Sequence, residues 1–222
     1  MELEEAIQHR HAVRDYTDQK IEGTTLAALK TEIETCNRES GLHLQLVTDE
    51  PHAFSGILAH YGKFSNVKNY VALIGRKEMG LDEKIGYYGE RIAIKAQMLG
   101  LNSCWVAMTY RKGKSKCVIE PTEKLVCVLA LGYGKTQGSP HQSKPLETLC
   151  QVKGEMPDWF RRGMELAVLA PTAMNQQKFL FTLDQGKVTA KATGIFYAQI
   201  DLGIVKYHFE TGAGKENFVW GS

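Results

Sequence analysis

The stretch of residues 169–179, Leu-Ala-Pro-Thr-Ala-Met-Asn-Gln-Gln-Lys-Phe, constrains the fold more than any other part of the chain. An apolar-periodic segment (Phe160, Met164, Ala167, Val168) runs into Pro171. A helix does not easily pass that residue, because proline lacks the amide proton and its ring crowds the preceding turn. Small and amide residues follow, and Phe179-Leu180-Phe181-Thr182-Leu183 then alternates as a strand does. The segment reads as helix, tight turn, strand, with Thr172 and Asn175 able to satisfy local backbone groups through their side chains. On composition alone it is equally an ordinary connection.

Other segments carry their own signals. Thr24 and Thr25 are placed to cap a helix through Leu26, Leu29 and Ile33, which the cluster Asn37-Arg38-Glu39-Ser40-Gly41 ends. Residues 42–47 alternate as a strand, and residues 70–75 and 125–131 are short apolar runs of the buried-strand kind. Residues 82–99 form the longest periodic segment, a largely buried helix with Gly100 as its C-cap. Residues 52–69, broken by Gly56 and Gly62, read as loop and short helix. Asp184-Gln185-Gly186 joins two runs as a hairpin, residues 200–209 read as a helix, and Phe218-Val219-Trp220 as an edge strand.

A chain of 222 residues, 43% of them hydrophobic, can bury one sizeable core or two small intertwined ones. A net charge of +2 and a pI near 8.2 give no field that suggests nucleic acid. The apolar runs are too short to span a bilayer, and Met1-Glu2-Leu3-Glu4-Glu5 is acidic where a signal peptide is basic. The expectation is a soluble, cytoplasmic protein without nucleic-acid or membrane partners. Five widely spaced cysteines (Cys36, Cys104, Cys117, Cys127, Cys150) without a C-x-x-C pair argue against a disulfide framework and a zinc site. The histidines form no ligand pattern, so no metal is expected.

Leu3, Ile7, Arg10 and Arg14 follow one another at steps of four or three, so residues 1–14 read as helical, with Arg10 and Arg14 converging on one face. Two guanidiniums suit a phosphate dianion, which they grip with charge-assisted, bidentate hydrogen bonds. The plainer alternative is a solvated basic edge paired with Glu4, Asp15 or Asp18. Residues 110–116 hold four Lys or Arg, by default a solvated loop, alternatively a contact for a nicotinamide cofactor's phosphate. Gly132-Tyr133-Gly134 invites a dinucleotide-binding reading, but Ser139-Pro140 stops a helix from starting there. Gly212-Ala213-Gly214-Lys215 imitates the tail of a phosphate-binding loop, yet Glu216 stands where a Ser or Thr is needed.

Four stretches together resemble the FMN-dependent nitroreductase family. Arg10-His11-Ala12-Val13-Arg14-Asp15-Tyr16 resembles its R-[RH]-S-x-R-x-[FY] signature, and Ala170 to Gln177 its A-P-S-x-x-N-x-Q turn. Residues 100–107 resemble G-L-G-S-C-W, and Gly132-Tyr133 with Lys144-Pro145-Leu146 resembles L-G-Y-P…R-K-P-L. Ala12 departs by lacking a hydroxyl, and Lys178-Phe179 stands in place of Pro-Trp.

The resemblance implies an α+β, nitroreductase-like fold with an antiparallel-rich mixed sheet flanked by helices. It implies FMN, with its phosphate held by Arg10, Arg14 and Lys144, beside His11, and with Lys135 a weaker candidate. Pro171, Thr172, Ala173, Asn175 and Gln177 lie near the ring by this analogy. In the family the 100–107 segment leads from the central helix into a loop beside the flavin's reactive edge, which makes Ala107, Met108 and Thr109 candidates for contacts to the ring. The flavin carries the chemistry, so no catalytic side chain is nominated. NADH or NADPH is the implied donor in a ping-pong reaction, and the acceptor a small molecule such as a nitroaromatic or quinone. An FMN-binding or storage protein with little turnover, or a non-catalytic module keeping the fold, are the alternatives.

In the family the A-P-S-x-x-N turn falls early in the chain, whereas here it falls late. That displacement resembles a subgroup with two nitroreductase-like halves fused in one chain, a single-chain pseudo-dimer. Its halves would be residues 1–150, with the arginines and the central helix, and the shorter 151–222, intertwined with the first. Such a chain is expected to be a monomer or a weak homodimer.

Overall fold

The computed structural model describes residues 1–221, which fall into two compact units, each discontinuous in sequence. One comprises His9–Leu81 and Arg91–Pro140, the other Met1–Gln8, Asp82–Glu90 and the residues from His141 onward.

The first unit is built on a four-stranded antiparallel sheet of order β1-β2-β4-β3, from β1 (Gln45–Val47), β2 (Asn69–Arg76), β3 (Asn102–Val106) and β4 (Glu123–Gly132). β2 and β4 lack polar alternation because both faces are covered: Tyr70, Ala72 and Ile74 are buried on one side and Val71 and Leu73 on the other. One face packs Val13, Tyr16, Phe54, Cys104, Val106, Val128 and Ala130 into a continuous cluster. α2 (Gly23–Ser40) buries Leu29, Ile33 and Cys36 and ends at Gly41, whose φ of 70° lies in the left-handed region that glycine adopts without a Cβ penalty. Its N-cap is Glu22, without a side-chain capping bond, so the expected Thr24–Thr25 cap is not used. The short α3 (Ile57–Tyr61) lies between β1 and β2.

β5 (Cys150–Val152), β6 (Phe179–Asp184), β7 (Lys187–Ala192) and β8 (Val219–Trp220) form the sheet of the second unit in that order. Only β6 and β7 are antiparallel, and they are joined where Gln185 (φ 48°) and Gly186 (φ 76°) both take positive φ, the primed turn that matches the twist of paired strands. α5 (Asp158–Ala167) and α6 (Ala198–Ala213) pack with it around an aromatic core, where Phe181 and Phe209 stack at 4.6 Å and Phe160 meets Phe209 edge-on at 5.4 Å. α6 is apolar almost all round and correspondingly buried. α4 (Leu81–Met98) is divided between the units, with Asp82–Glu90 in the second and its other residues in the first. Within the second unit His208 on α6 meets Glu90 of α4 at 2.9 Å, both fully buried.

Candidate functional site

In the first unit the phosphate candidates lie on extended chain. α1 (Leu3–His9) ends before Arg10, and the following residues bridge Ala12 to Ser103, Asp15 to Ser65 and Tyr16 to Gly134. The helical reading of residues 10–14 is therefore corrected. The Val13 amide donates to the Ser103 carbonyl (3.1 Å) and the Ser65 amide to the Arg14 carbonyl (2.9 Å), partners that a helix would not leave available. Residues four apart share a side on extended chain as well as on a helix, since the strand period is two. Arg10 and Arg14 accordingly act on one neighbour, Cys104 of β3. Burial pushes that thiol up, and the positive charges of Arg14 and Arg10 both oppose the shift. Arg10 is buried, whereas Arg14 is exposed with its guanidinium carbon 5.9 Å over the Phe64 ring.

The loop after β4 lies directly against this segment. Gly138 has φ 73°, and a Cβ there would stand 2.8 Å from the His11 Cβ and 3.0 Å from the Ala12 carbonyl. Asn102 pins the loop by accepting from the Gly134 amide (2.9 Å) and donating to Gln137 (3.0 Å). Lys135 pairs with Asp15 at 3.0 Å, and its hydrogen bond holds that carboxyl below its ordinary range. Residues 102–106 form β3, with Cys104 and Val106 in the core beside β4. Ala107 and the exposed Met108 follow directly after it.

In the second unit the Pro171 turn is rigid for reasons the structure makes explicit. Met174, Asn175 and Gln177 all have φ near 50°, uncommon for residues with side chains, and a web of bonds holds them there. The Gln177 side chain is buried. Its amide donates to the Gln142 carbonyl (2.8 Å) and to Asn175 Oδ1 (2.9 Å), and its oxygen accepts from the Lys144 amide (2.8 Å). Asn175 donates to the same Gln142 carbonyl, and the Gln177 amide donates to Thr172 Oγ1. Lys144 turns its ammonium onto the carbonyls of Gln176 (2.7 Å) and Gln177 (3.3 Å). Lys144, Thr172, Asn175 and Gln177 are thus brought together, with Pro171 and Ala173 in the same turn.

One residue of this cluster carried no functional reading from sequence. Asp201, in the first turn of α6 and 3% exposed, accepts from the Ala173 amide through both oxygens (3.0 and 3.1 Å) and from Gln176 Nε2 (3.1 Å). Burial pushes its carboxyl up to about 6 against the opposing hydrogen bonds of Ala173 and Gln176. The available signal was a lone carboxylate inside the apolar run Ile200-Asp201-Leu202-Gly203-Ile204-Val205.

The model of the family described as "Putative TM nitroreductase" matches residues 2–213. The chain belongs to this family. Solved structures give the same nitroreductase fold. A "putative nitroreductase" from Thermotoga maritima shares 19% identity with a TM-score of 0.62, over 94% of this chain and 82% of that one. A nitroreductase family protein from Streptococcus pneumoniae shares 14% identity with a TM-score of 0.54, over 66% and 98% of the two chains. A "putative nitroreductase" in complex with FMN, from Desulfovibrio desulfuricans, shares 14% with a TM-score of 0.53, over 71% and 99%. Among curated proteins none matches. Among the described residues of this nitroreductase-family chain, no cluster of His, Cys, Asp and Glu could hold a metal ion, and no helix is long and apolar enough to cross a membrane.

Proposed function

We propose that this chain is an FMN-dependent NAD(P)H oxidoreductase of the nitroreductase type. The observation that carries the reading is the convergence of Arg10 and Arg14 beside β3, on a segment clamped by backbone hydrogen bonds to Ser103 and Ser65. The donor set fits a phosphate: guanidiniums only donate, each in a planar fork matched to paired oxygens. Arg14 is exposed and makes no ion pair among the described residues, so its charge is available to an incoming anion. Arg10 is held in place by burial. Ala12 offers no hydroxyl, which leaves the anion to the arginines and to backbone amides near His11.

Bound FMN would supply hydride acceptance at N5 from NADH or NADPH and donation to a small acceptor such as a nitroaromatic or a quinone. The protein's part is binding and orientation. The backbone at Ala107 and Met108, which follows β3 in the same unit as the arginines, is assigned to the polar edge of the ring. Gln177 and Lys144 are positioning residues for the Pro171 turn, since their polar atoms bond the turn itself. We also read the chain as two fused nitroreductase-like halves.

The test is the visible spectrum of the purified protein after addition of FMN and then NADH or NADPH under argon. A bound flavin that bleaches is expected, with Arg14→Ala weakening FMN binding about tenfold or more through loss of a charge-assisted contact. Flavin that binds without being reduced would make the protein a carrier. No binding at all would overturn the site.

A further inference from the structure

Residues 110–116 carry Arg111, Lys112, Lys114 and Lys116 and no carboxylate. Lys112 is committed, because its ammonium donates to the Leu125 carbonyl at 2.6 Å. Arg111, Lys114 and Lys116 are exposed and make no ion pair among the described residues. The backbone beneath them is anchored at close intervals. The Arg111 amide donates to Ala53 (2.7 Å), the Lys114 amide to Arg111 (2.9 Å) and the Lys116 amide to the Tyr70 hydroxyl (2.9 Å). Tyr110 is buried and stacks on Phe54. With the backbone anchored, only the side chains' own freedom is lost when they grip an anion, which is where preorganisation adds affinity.

α3 runs alongside. Gly56 takes φ 110°, and a Cβ there would lie 3.7 Å from Arg111 Cδ, so the arginine stem crosses the start of the helix. At the other end Gly62 is wedged against Thr109 and Phe64, where a Cβ would come within 2.7 and 2.9 Å. Phe64 is the ring beneath Arg14. α3, about 7.5 Å long at five residues, therefore leads from Arg111 to the neighbourhood of Arg14. It presents Tyr61 83% exposed.

An exposed aromatic ring on the helix whose start the Arg111 stem crosses, together with unpaired cations on an anchored loop, is the chemistry of a nucleoside phosphate, the ring stacking on the base and the cations holding the anion. Three cations exceed the two charges of a dinucleotide's pyrophosphate. A further phosphomonoester, bringing about −1.5 to −2 at neutral pH, matches them better. We propose that Arg111, Lys114 and Lys116, with Tyr61, form the subsite for the adenosine-phosphate end of the pyridine nucleotide and favour NADPH over NADH. The proposal rests on the oxidoreductase reading above and names the donor that reading leaves open.

The experiment is calorimetric titration of the protein with 2′,5′-ADP and with 5′-AMP, on wild type, on an Arg111→Ala/Lys114→Ala double variant and on Tyr61→Ala, with circular dichroism to check folding. FMN binding is measured separately on each. The 2′-phosphorylated probe is expected to bind at least about tenfold tighter than 5′-AMP. The double variant should weaken it about a hundredfold, each charge-assisted contact being worth about a factor of ten, and retain FMN. Tyr61→Ala should weaken both probes alike. Equal affinity for the two probes, or an unchanged double variant, overturns the subsite. A protein that never takes up FMN yet keeps the 2′-phosphate preference refutes the oxidoreductase reading and leaves the subsite standing. A flavoprotein whose NADPH-to-NADH preference is unaffected by the double variant refutes the subsite alone.

Discussion

Two glycine pairs decide how closely the helices of the second unit approach. A Cβ on Gly203 of α6 would sit inside the van der Waals envelope of the Glu83 carbonyl on α4, and one on Gly86 inside that of the Ile200 carbonyl. The same occurs between Gly212 of α6 and Gly163 of α5, where a Cβ on Gly212 would come 2.5 Å from the Arg162 carbonyl and 3.1 Å from the Gly163 Cα. Backbone cannot give way as a flexible side chain can. Gly203→Ala is therefore expected to lower the stability by about 3 kcal/mol, read as a fall in the urea midpoint, since overpacking a close backbone contact is among the costlier single changes. Gly113→Ala, with nothing within 4 Å, is expected to stay within about 0.5 kcal/mol. The two departures from the family's turn also have local explanations. Phe179 is a core residue at the start of β6, edge-on to Phe181 at 5.9 Å, and the Lys178 stem lies against Gly194.

The Pro171 turn and α6 behave as one element because Asp201 joins them. Its carboxyl has an ordinary value of 3.8 and is pushed up to about 6 in the folded protein. Between those values the native state binds more protons than the unfolded one, so this group's contribution to stability falls as pH rises from 3.8 through about 6 and is least above it. The two-unit shift corresponds to about 3 kcal/mol. Asp201→Asn should remove that component. Urea unfolding at pH 4 and pH 7 should show the variant gaining on wild type at the higher pH, and an identical pH dependence in both proteins would refute the assignment. The buried pair of Glu90 and His208 is a second tie in the same unit, with His208 Nδ1 donating to the Leu166 carbonyl at 3.1 Å, so that α4, α5 and α6 share one polar contact in an apolar interior. The carbonyl only accepts, so Nδ1 carries a proton whatever the state of Glu90.

At the scale of the whole molecule, the proposed reading of the chain as two fused nitroreductase-like halves predicts that it has no need of a second copy. Sedimentation equilibrium at micromolar concentration is expected to give the mass of one chain, 24.8 kDa, and a stable dimer would refute the single-chain reading. Much of the architecture was legible in the sequence wherever the governing interactions are local. The periodicity of α4, the left-handed residues at Gly41 and Gly100, the Gln185-Gly186 turn and the stop at Pro171 all depend on residues within about one helical turn of each other. The extended course of residues 10–16 was not legible, because a spacing of four suits a helix and a strand alike, and the partners that choose between them, Ser65 and Ser103, lie far along the chain. Nor was β5, three residues whose strand state comes from parallel pairing with β6 about 30 residues later. The candidate site follows the same division. Its residue types and order were readable, since arginines, amides and a proline declare their chemistry one at a time. That Gln177 bonds Gln142 and Lys144, and that Asp201 holds the turn, was settled only by the tertiary structure, because a buried polar group takes whichever partner the packing brings within reach.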